Sequence, residues 1–297
     1  MIRRTLALLV FLCVLITCFQ LIGPPRSVPR VAAGPVVAGP VHHSFQPTKG
    51  KVFVLVIGND ARVGNPDRSR ADALHVIGLN TKTMKGGILN FPRDSWINIP
   101  GHGMGRINEA LYQGGPQLMA RTVESLTGIR LDLWVMTGFE GFRGVMRMLG
   151  GVKIHLSQDI FDPGGSGARL RKGTHVLHAG GALAYVRTRK VFASGDIARS
   201  TNQARFLLFL LAKLRKEVER DPAALFDWID ITRRHTRSDI SAEDLFRLGV
   251  LATQVSRKRV GNVTVPVSIG SVGAASVVFI SPKASSIYAR FRRTAAL

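Results

Sequence analysis

Apolar runs separated by polar loops predict that strands and helices alternate along most of the chain. Residues 52–57 form a continuous apolar run rich in β-branched side chains, which is typical of a buried strand. Residues 73–79, 87–91 and 131–136 predict further strands. Helix signals lie between and after them, such as Pro116 at a favoured first position and Gly150-Gly151 at an end. The helices predicted from them cover residues 115–126, 139–149, 182–187 and 201–220.

The pattern continues beyond Asp221-Pro222. Helices are predicted over residues 223–233, 242–254 and 282–291, and strands over residues 263–267 and 277–280. Ser241 precedes the second of these helices with Asp244 three residues on, the spacing of a capping box. We find no internal repeat. Strands mixed with helices throughout predict an α/β fold, a single three-layer domain with a central mixed sheet flanked by helices.

The first fifty residues have a different character. Residues 5–23 carry no charge and are long enough to span a bilayer as a helix, and Arg3 and Arg4 precede them. We predict a cytoplasmic tail at residues 1–4, a transmembrane signal anchor at 5–23 and a Pro/Gly-rich linker at 24–50. A cleaved signal peptide with Ala32-Ala33-Gly34 as its site is the alternative. The positive-inside bias places the body of a single-pass cell-membrane protein on the extracellular side.

The charge balance favours an anionic partner. Lys and Arg number 41 against 19 Asp and Glu, a formal net charge of +22. Such an excess attracts nucleic acid, anionic headgroups or phosphate-rich polymers, although ordinary solvated surface is the alternative. Aromatic residues are only 7% of the chain and do not interleave with the basic ones, so nucleic acid is not the expected partner.

Two carboxylates flank the loop between the first two predicted strands. If those strands are neighbours, Asp60 and Asp72 emerge at one edge of the sheet, with Arg62, Arg68 and Arg70 nearby. Mg²⁺ is bound through one or two carboxylates together with substrate phosphates, so the pair could hold a cation against a phosphate. A solvated turn with internal salt bridges is the alternative.

Arginines recur at two further places. Arg93 directly follows a predicted strand, with Asp94 beside it as an orienting partner or a cap. Arg187, Arg189 and Arg199 flank the loop that leads into the long helix, on which Gln203 also lies. Arginine grips phosphate oxygens in pairs, and a helix N-terminus favours an anion. An exposed basic loop is the alternative.

One stretch of the long predicted helix is apolar all round. Residues 206–212 are seven apolar residues in a row. Burial between two layers explains such a stretch, and the wall of a pocket for a lipid tail is the functional reading.

The order of these motifs resembles the LytR–CpsA–Psr family of cell-wall glycopolymer–peptidoglycan ligases, over residues 52–216. The matching stretches are Gly58-Asn59-Asp60-Ala61-Arg62, Arg70-Ala71-Asp72, Pro92-Arg93-Asp94, Arg106-Ile107-Asn108, Gly114-Gly115-Pro116, Phe139-Glu140-Gly141-Phe142, Gly150-Gly151-Val152, Gly173-Thr174-His175, Ala182-Leu183-Ala184-Tyr185-Val186-Arg187-Thr188-Arg189 and Gly195-Asp196-Ile197-Ala198-Arg199.

The resemblance implies a phosphotransferase. Such enzymes move a glycopolymer, for example teichoic acid or arabinogalactan, from a polyprenyl pyrophosphate carrier onto peptidoglycan, and a phosphodiester forms. It implies a catalytic domain at residues 51–216 and an extension at 217–297 packed on the same domain. Mg²⁺ or Mn²⁺ would lie on Asp60 and Asp72. The residues implied to bind the pyrophosphate are Arg62, Arg93, Arg187, Arg189, Arg199 and Gln203. Arg93, Asp72 and Arg199 are the residues implied to be catalytic.

The chain departs from the family pattern at Asn202, where a second Arg often precedes Gln203, and at Asn59 and Arg106. The general base stays open between Asp72 and Asp94. A pyrophosphatase acting on the same lipid and a non-catalytic anchored regulator are the alternative functions. The sequence identifies neither the glycopolymer nor the oligomeric state.

Overall fold

The structure, a computed structural model, describes residues 50–61, 69–189 and 195–297. The predicted tail, anchor and linker before residue 50 and the predicted ligand Arg62 lie outside these residues. Among the helices of the described part, none is both long enough and apolar enough to cross a membrane.

Strands and helices follow one another along the whole described chain. Two helices, α1 and α2, lie among the first ten strands; α3 to α5 follow β10, α6 follows β11, and α7 follows β14. In chain order the elements are β1 (Lys51–Asn59), β2 (Ala71–Asn80), β3 (Lys85–Asn90), β4 (Trp96–Ile99), β5 (Gly103–Arg106), α1 (Glu109–Thr127), β6 (Leu133–Thr137), α2 (Phe139–Met148), β7 (Val152–Leu156), β8 (Ile160–Asp162), β9 (Ala168–Leu170), β10 (Gly173–Leu177), α3 (Ala179–Arg187), α4 (Asp196–Arg220), α5 (Ala224–His235), β11 (Arg237–Ser238), α6 (Ala242–Gln254), β12 (Val260–Thr264), β13 (Val267–Val272), β14 (Ala275–Ile280) and α7 (Ala284–Thr294).

A six-stranded mixed sheet forms the centre, in the order β11-β6-β1-β2-β3-β12. The strand β1 runs antiparallel to β2 and parallel to β6, and β12 runs parallel to β3. The predicted α/β class with a central mixed sheet is therefore confirmed. The strand β12 comes from the segment after residue 217 and pairs directly with β3. The boundary predicted at residues 216 and 217 falls inside α4, so no break in the fold occurs there.

Alternate residues of β1 pack on opposite faces of the sheet. Phe53, Leu55 and Ile57 join the core that α1 and α7 complete on one face. Val52 and Val54 join a second cluster with residues of α6 on the other face, and α4 packs beside it. Both faces of the strand are thus covered, which explains its uninterrupted apolar sequence.

Two glycines make room for the last helix. Gly78 and Gly87 are cross-strand partners in β2 and β3. A Cβ on either would lie within 3 Å of the Phe291 ring. Phe291 is fully buried and meets the Phe53 ring edge-on with centroids 5.4 Å apart. Burying such a ring stabilises the fold by roughly 1.5–3 kcal/mol.

Several predicted element bounds differ from the structure. The helix α1 begins at Glu109 and kinks at Gly114 and Gly115, where φ of Gly115 is +68°, so only its second part matches the prediction. The helix α4 begins at Asp196, five residues before the predicted start. The strand predicted at 263–267 is divided between β12 and β13, because Pro266 has no N–H for the sheet. The Ser241 cap is confirmed, with Oγ accepting the Asp244 N–H at 3.0 Å.

Candidate functional site

A cavity of about 450 Å³ opens where β1 ends and β2 begins. The sheet edge forms its floor, and three elements close its sides: the first turn of α2, the loop between β8 and β9, and the α3–α4 pair. The cavity therefore lies among elements that are far apart in the sequence.

A network of ion pairs fixes two of the predicted arginines at this edge. Arg93 Nη1 lies 2.6 Å from Asp72 Oδ1, and its Nε lies 3.6 Å from Asp94 and 3.8 Å from Asp196. Arg199 Nη2 lies 2.8 Å from Asp196 Oδ1 and donates to the main-chain oxygen of Asp72 at 3.2 Å. Asp196 thereby links the two guanidinium groups.

Burial and charge act against each other in this network. Burial lowers the pKa of Arg93, but Asp72, Asp196 and Asp94 raise it by more, so the net pKa is raised. Burial lowers the pKa of Arg199, and Asp196 and Asp72 offset this only in part. The Nε atoms of both arginines are buried and make no hydrogen bond in the described structure. Both guanidinium groups are thus held in place, and each still has an N–H donor that is not used in a hydrogen bond.

The other two predicted arginines have no such partners. Arg187 and Arg189 both line the cavity, yet neither forms an ion pair with any carboxylate in the described ranges. The Arg187 guanidinium lies over the Phe139 ring, 4.9 Å from its centroid. An aromatic face orients a cation without neutralising it. No carboxylate of the described residues therefore compensates the positive charge of this pair.

A buried histidine also lines the cavity. His75 Nδ1 lies 2.8 Å from Asn90 Oδ1, and Asn90 Nδ2 donates to Asn262 Oδ1 at 2.6 Å and to Thr264 Oγ1 at 3.2 Å. Because the amide oxygen accepts, Nδ1 carries the proton and Nε2 is an acceptor with no partner in the described structure. Burial lowers the His75 pKa to about 4, against the opposing effect of the Asn90 and Gln203 amides. The ring is therefore neutral at physiological pH.

Apolar side chains form one wall of the cavity. The apolar stretch at 206–212 serves both of the predicted purposes, since part of it lines the cavity and part of it is buried between layers. Phe206 and Leu207 line the cavity, whereas Leu208 packs against Ile88 of the sheet and Phe209 joins a core beneath α3. The wall continues through α2 and α3 with Phe139, Phe142, Leu183 and Val186.

The two predicted metal ligands occupy neighbouring strands. A bulge at Gly58 and Asn59 shifts the β1–β2 register, so the Asp60 N–H bonds the Arg70 oxygen. Asp60 Oδ1 accepts the Arg70 N–H at 3.1 Å, and Asp72 Oδ1 is taken by Arg93. The second oxygen of each carboxylate makes no hydrogen bond or ion pair with another described residue. The described residues contain no group of three or more His, Cys, Asp or Glu side chains that is arranged to hold a metal ion. A donor set of two carboxylates suits Mg²⁺ that is shared with a phosphate.

The structure brings most of the predicted site residues to one cavity. Asp60 is not among the residues that line it. Sequence reasoning gave no role to Asp196 or His75. A lone histidine inside an apolar strand was the available signal for His75, whereas Asp196 had none beyond its place in a matching motif. The predicted residues that line the cavity are Asp72, Arg93, Arg187, Arg189, Arg199 and Gln203.

Known proteins resemble this chain over much of its length. TagT of Bacillus subtilis, named a polyisoprenyl-teichoic acid–peptidoglycan teichoic acid transferase, is 35% identical over 69% of this chain and 65% of its own length. The probable cell wall biosynthesis protein LcpB of Corynebacterium glutamicum is 33% identical over 53% of this chain and 41% of its own length. The aligned part of the chain thus spans less than two thirds of either relative.

Solved structures share the fold. A structure described as TagT bound to LI-WTA superposes with a TM-score of 0.70 at 27% identity, covering 85% of this chain and 93% of that one. The structure of YwtF (TagT) with bound octaprenyl pyrophosphate lipid gives a TM-score of 0.64 at 25% identity, covering 84% and 92%. The model of the LytR_cpsA_psr family matches residues 36–291. The chain therefore belongs to the LytR–CpsA–Psr family.

Proposed function

We propose that this protein is a phosphotransferase that moves a glycopolymer from a polyprenyl pyrophosphate carrier onto peptidoglycan. The observation that carries the proposal is the convergence of four arginines at the edge of a cavity with an apolar wall. A polyprenyl pyrophosphate has the same two parts, an anionic head and an apolar chain. The names of TagT and of the octaprenyl pyrophosphate complex support this reading.

The two arginine pairs would divide the work of holding the pyrophosphate. Arg187 and Arg189 have no carboxylate partner in the described structure, so they supply net charge for the anion. Arg93 and Arg199 are oriented by Asp72 and Asp196 and can direct donors at chosen oxygens. Gln203 is held by its bond to the Val186 oxygen at 3.1 Å and can contribute an amide.

The reaction is a displacement at phosphorus. The acceptor hydroxyl oxygen forms a bond to the sugar-linked phosphorus, the bond from that phosphorus to the bridging oxygen breaks, and polyprenyl phosphate leaves with the electron pair. Negative charge builds on the bridging and non-bridging oxygens, so preorganised cations should provide most of the rate enhancement. Asp72 lines the cavity and Asp94 is not among its lining residues, so Asp72 would accept the hydroxyl proton through its second oxygen when that oxygen is not bound to a cation.

We expect that a divalent cation can bind here, shared between the two carboxylates and a substrate phosphate. Asp60 and Asp72 would hold Mg²⁺ or Mn²⁺ through the oxygens that Arg70 and Arg93 leave available. The cation would neutralise phosphate charge when bound.

The lipid carrier also accounts for the predicted anchor. A helix at residues 5–23 would keep the cavity close to the membrane in which the donor resides, with the domain on the extracellular side. Protease treatment of intact cells tests this: cleavage of the domain is expected, and full protection would contradict it.

The proposed function is tested with the full chain in detergent, a lipid-linked glycopolymer donor and purified peptidoglycan. We expect polymer linked covalently to peptidoglycan and equimolar polyprenyl phosphate. Release of the polymer in the absence of peptidoglycan, at the same rate, would identify a pyrophosphatase instead. Tight donor binding without any turnover would favour the regulator.

A further inference from the structure

A second groove lies on the opposite side of α3 and α4 from the cavity. Its volume is about 610 Å³, and β7 with the residues after it forms its far wall. On α4, Asn202, Arg205 and Phe209 face the groove, whereas Arg199, Gln203 and Phe206 face the cavity. The same helix thus forms one wall of each. We name this surface the lateral groove.

The lateral groove is cationic. Arg205, Arg257 and His155 line it, and no Asp or Glu is among its lining residues. Neither arginine forms an ion pair in the part of the chain that the structure describes. The Arg257 guanidinium lies 4.3 Å from the centroid of the Phe209 ring, which orients the cation and leaves its charge intact.

Unsatisfied polar groups accompany these charges. Asn202 is 5% exposed, and its Nδ2 makes no hydrogen bond in the described structure. A buried amide without a partner costs roughly 1–3 kcal/mol, so a ligand or a water molecule that accepts from Nδ2 would be stabilising. Tyr185 also lines the groove, and no hydrogen bond to its hydroxyl occurs among the described residues. Burial raises its pKa and the two arginines oppose this, so the hydroxyl stays protonated as a donor.

The chemistry of the groove matches a glycan strand that carries carboxylates. Arginines pair with carboxylates, the amide and hydroxyls suit sugar hydroxyls, and the Phe209 and Tyr185 rings offer apolar contact. Ile197 and Ala198, in the first turn of α4, line the groove, and Asp196 and Arg199 of the same turn belong to the ion-pair network of the cavity. A polymer lying in the groove therefore passes close to the reacting end of the site.

We propose that the lateral groove binds the acceptor, a carboxylate-bearing glycan strand, on the far side of α4 from the lipid-linked donor. This inference rests on the proposed function, since that function requires two substrates at once. Separate sites for donor and acceptor allow both to be bound before the phosphorus is attacked.

The test compares the full chain in detergent with the double variant Arg205→Gln/Arg257→Gln. Calorimetric titration with soluble peptidoglycan fragments should show affinity weaker by about tenfold or more, because two charge-assisted bonds are lost. Binding of polyprenyl pyrophosphate should stay within about twofold. Fragments with amidated carboxylates should bind the wild type as weakly as intact fragments bind the variant.

The matched control is Arg121→Gln/Arg130→Gln, which removes two exposed arginines at the other layer of the fold. It should bind fragments like the wild type, and equal weakening in both double variants would mean that only overall charge matters. Unchanged fragment binding in the groove variant overturns the inference, as does a loss of donor binding instead. The two binding measurements do not require turnover, so the two proposals fail separately. Fragment binding that depends on the groove, without any transfer, would refute the proposed function. Transfer that does not depend on the groove arginines would refute this inference.

Discussion

The four arginines of the cavity form two pairs with different surroundings. Arg93 and Arg199 are tied to Asp72, Asp94 and Asp196. Arg187 and Arg189 have no carboxylate partner in the described structure and lie at the end of α3 and in the loop that follows it. The side chain of Arg199 is 7% exposed, whereas Arg189 is an exposed residue.

This difference separates two tasks, the orientation of hydrogen-bond donors toward the phosphate and the electrostatic attraction of the anionic donor. A guanidinium within a carboxylate network keeps its direction, and the carboxylates compensate most of its positive charge. An unpaired guanidinium keeps its charge and is less constrained. We therefore expect the first pair to act mainly on kcat and the second mainly on donor affinity.

The largest effect is expected from the oriented pair. Arg93→Ala or Arg199→Ala should lower kcat for transfer by about 10²–10³-fold, because fixed donors to the developing charge are lost. The fold should persist, with a cost of roughly 1–3 kcal/mol in the free energy of unfolding for carboxylates left without a partner. Steady-state kinetics and thermal unfolding of each variant check this. Full activity of either variant on a lipid-linked donor would refute the site assignment.

Arg187→Gln/Arg189→Gln should weaken donor binding by about tenfold and change kcat less. The salt dependence of donor affinity should become shallower than in the wild type, since unscreened charge has been removed. Titration at two ionic strengths measures both. A drop in kcat at unchanged donor affinity would contradict the assignment of donor affinity to Arg187 and Arg189.

The substitution Asp196→Asn removes the carboxylate that forms an ion pair with Arg199, and so leaves Arg199 without its charged partner. Burial raises the pKa of Asp196, and Arg199 and Arg93 restrain the rise by favouring the charged form. We expect kcat to fall by about tenfold as Arg199 loses its orientation, while donor affinity holds or rises with the added net charge. A parallel fall in both would show that Asp196 serves the fold as a whole.

The smallest effect on activity at neutral pH is expected from His75, which adjoins the oriented pair. Its folded pKa of about 4 lies below the ordinary value of 6.5, so protonation favours the unfolded chain. The free energy of unfolding should be constant above pH 6.5 and should fall by ~3 kcal/mol between pH 6.5 and 4 on account of this group. The difference in pH dependence between the wild type and His75→Gln isolates the effect. Equal slopes would mean that the histidine is solvated.

Part of the site could be predicted because its signals are local. Arg93 follows a strand, Arg199 flanks the loop before a predicted helix, and Asp60 and Asp72 flank a loop between paired strands. Motif order then joined these pieces into a family. The role of His75 could not be predicted, because its partner Asn90 in turn donates to Asn262, which lies 172 residues farther along the chain.

The sequence by itself determined the α/β class, the main strands, and which residue types would meet a phosphate. Those properties depend on periodicity and on side-chain chemistry, which are set residue by residue. Only the tertiary structure decided which arginines are paired, which side of α4 each residue faces, and that Phe291 fills the space above Gly78 and Gly87. Charge compensation and packing depend on distances between remote segments, and no local pattern encodes those distances.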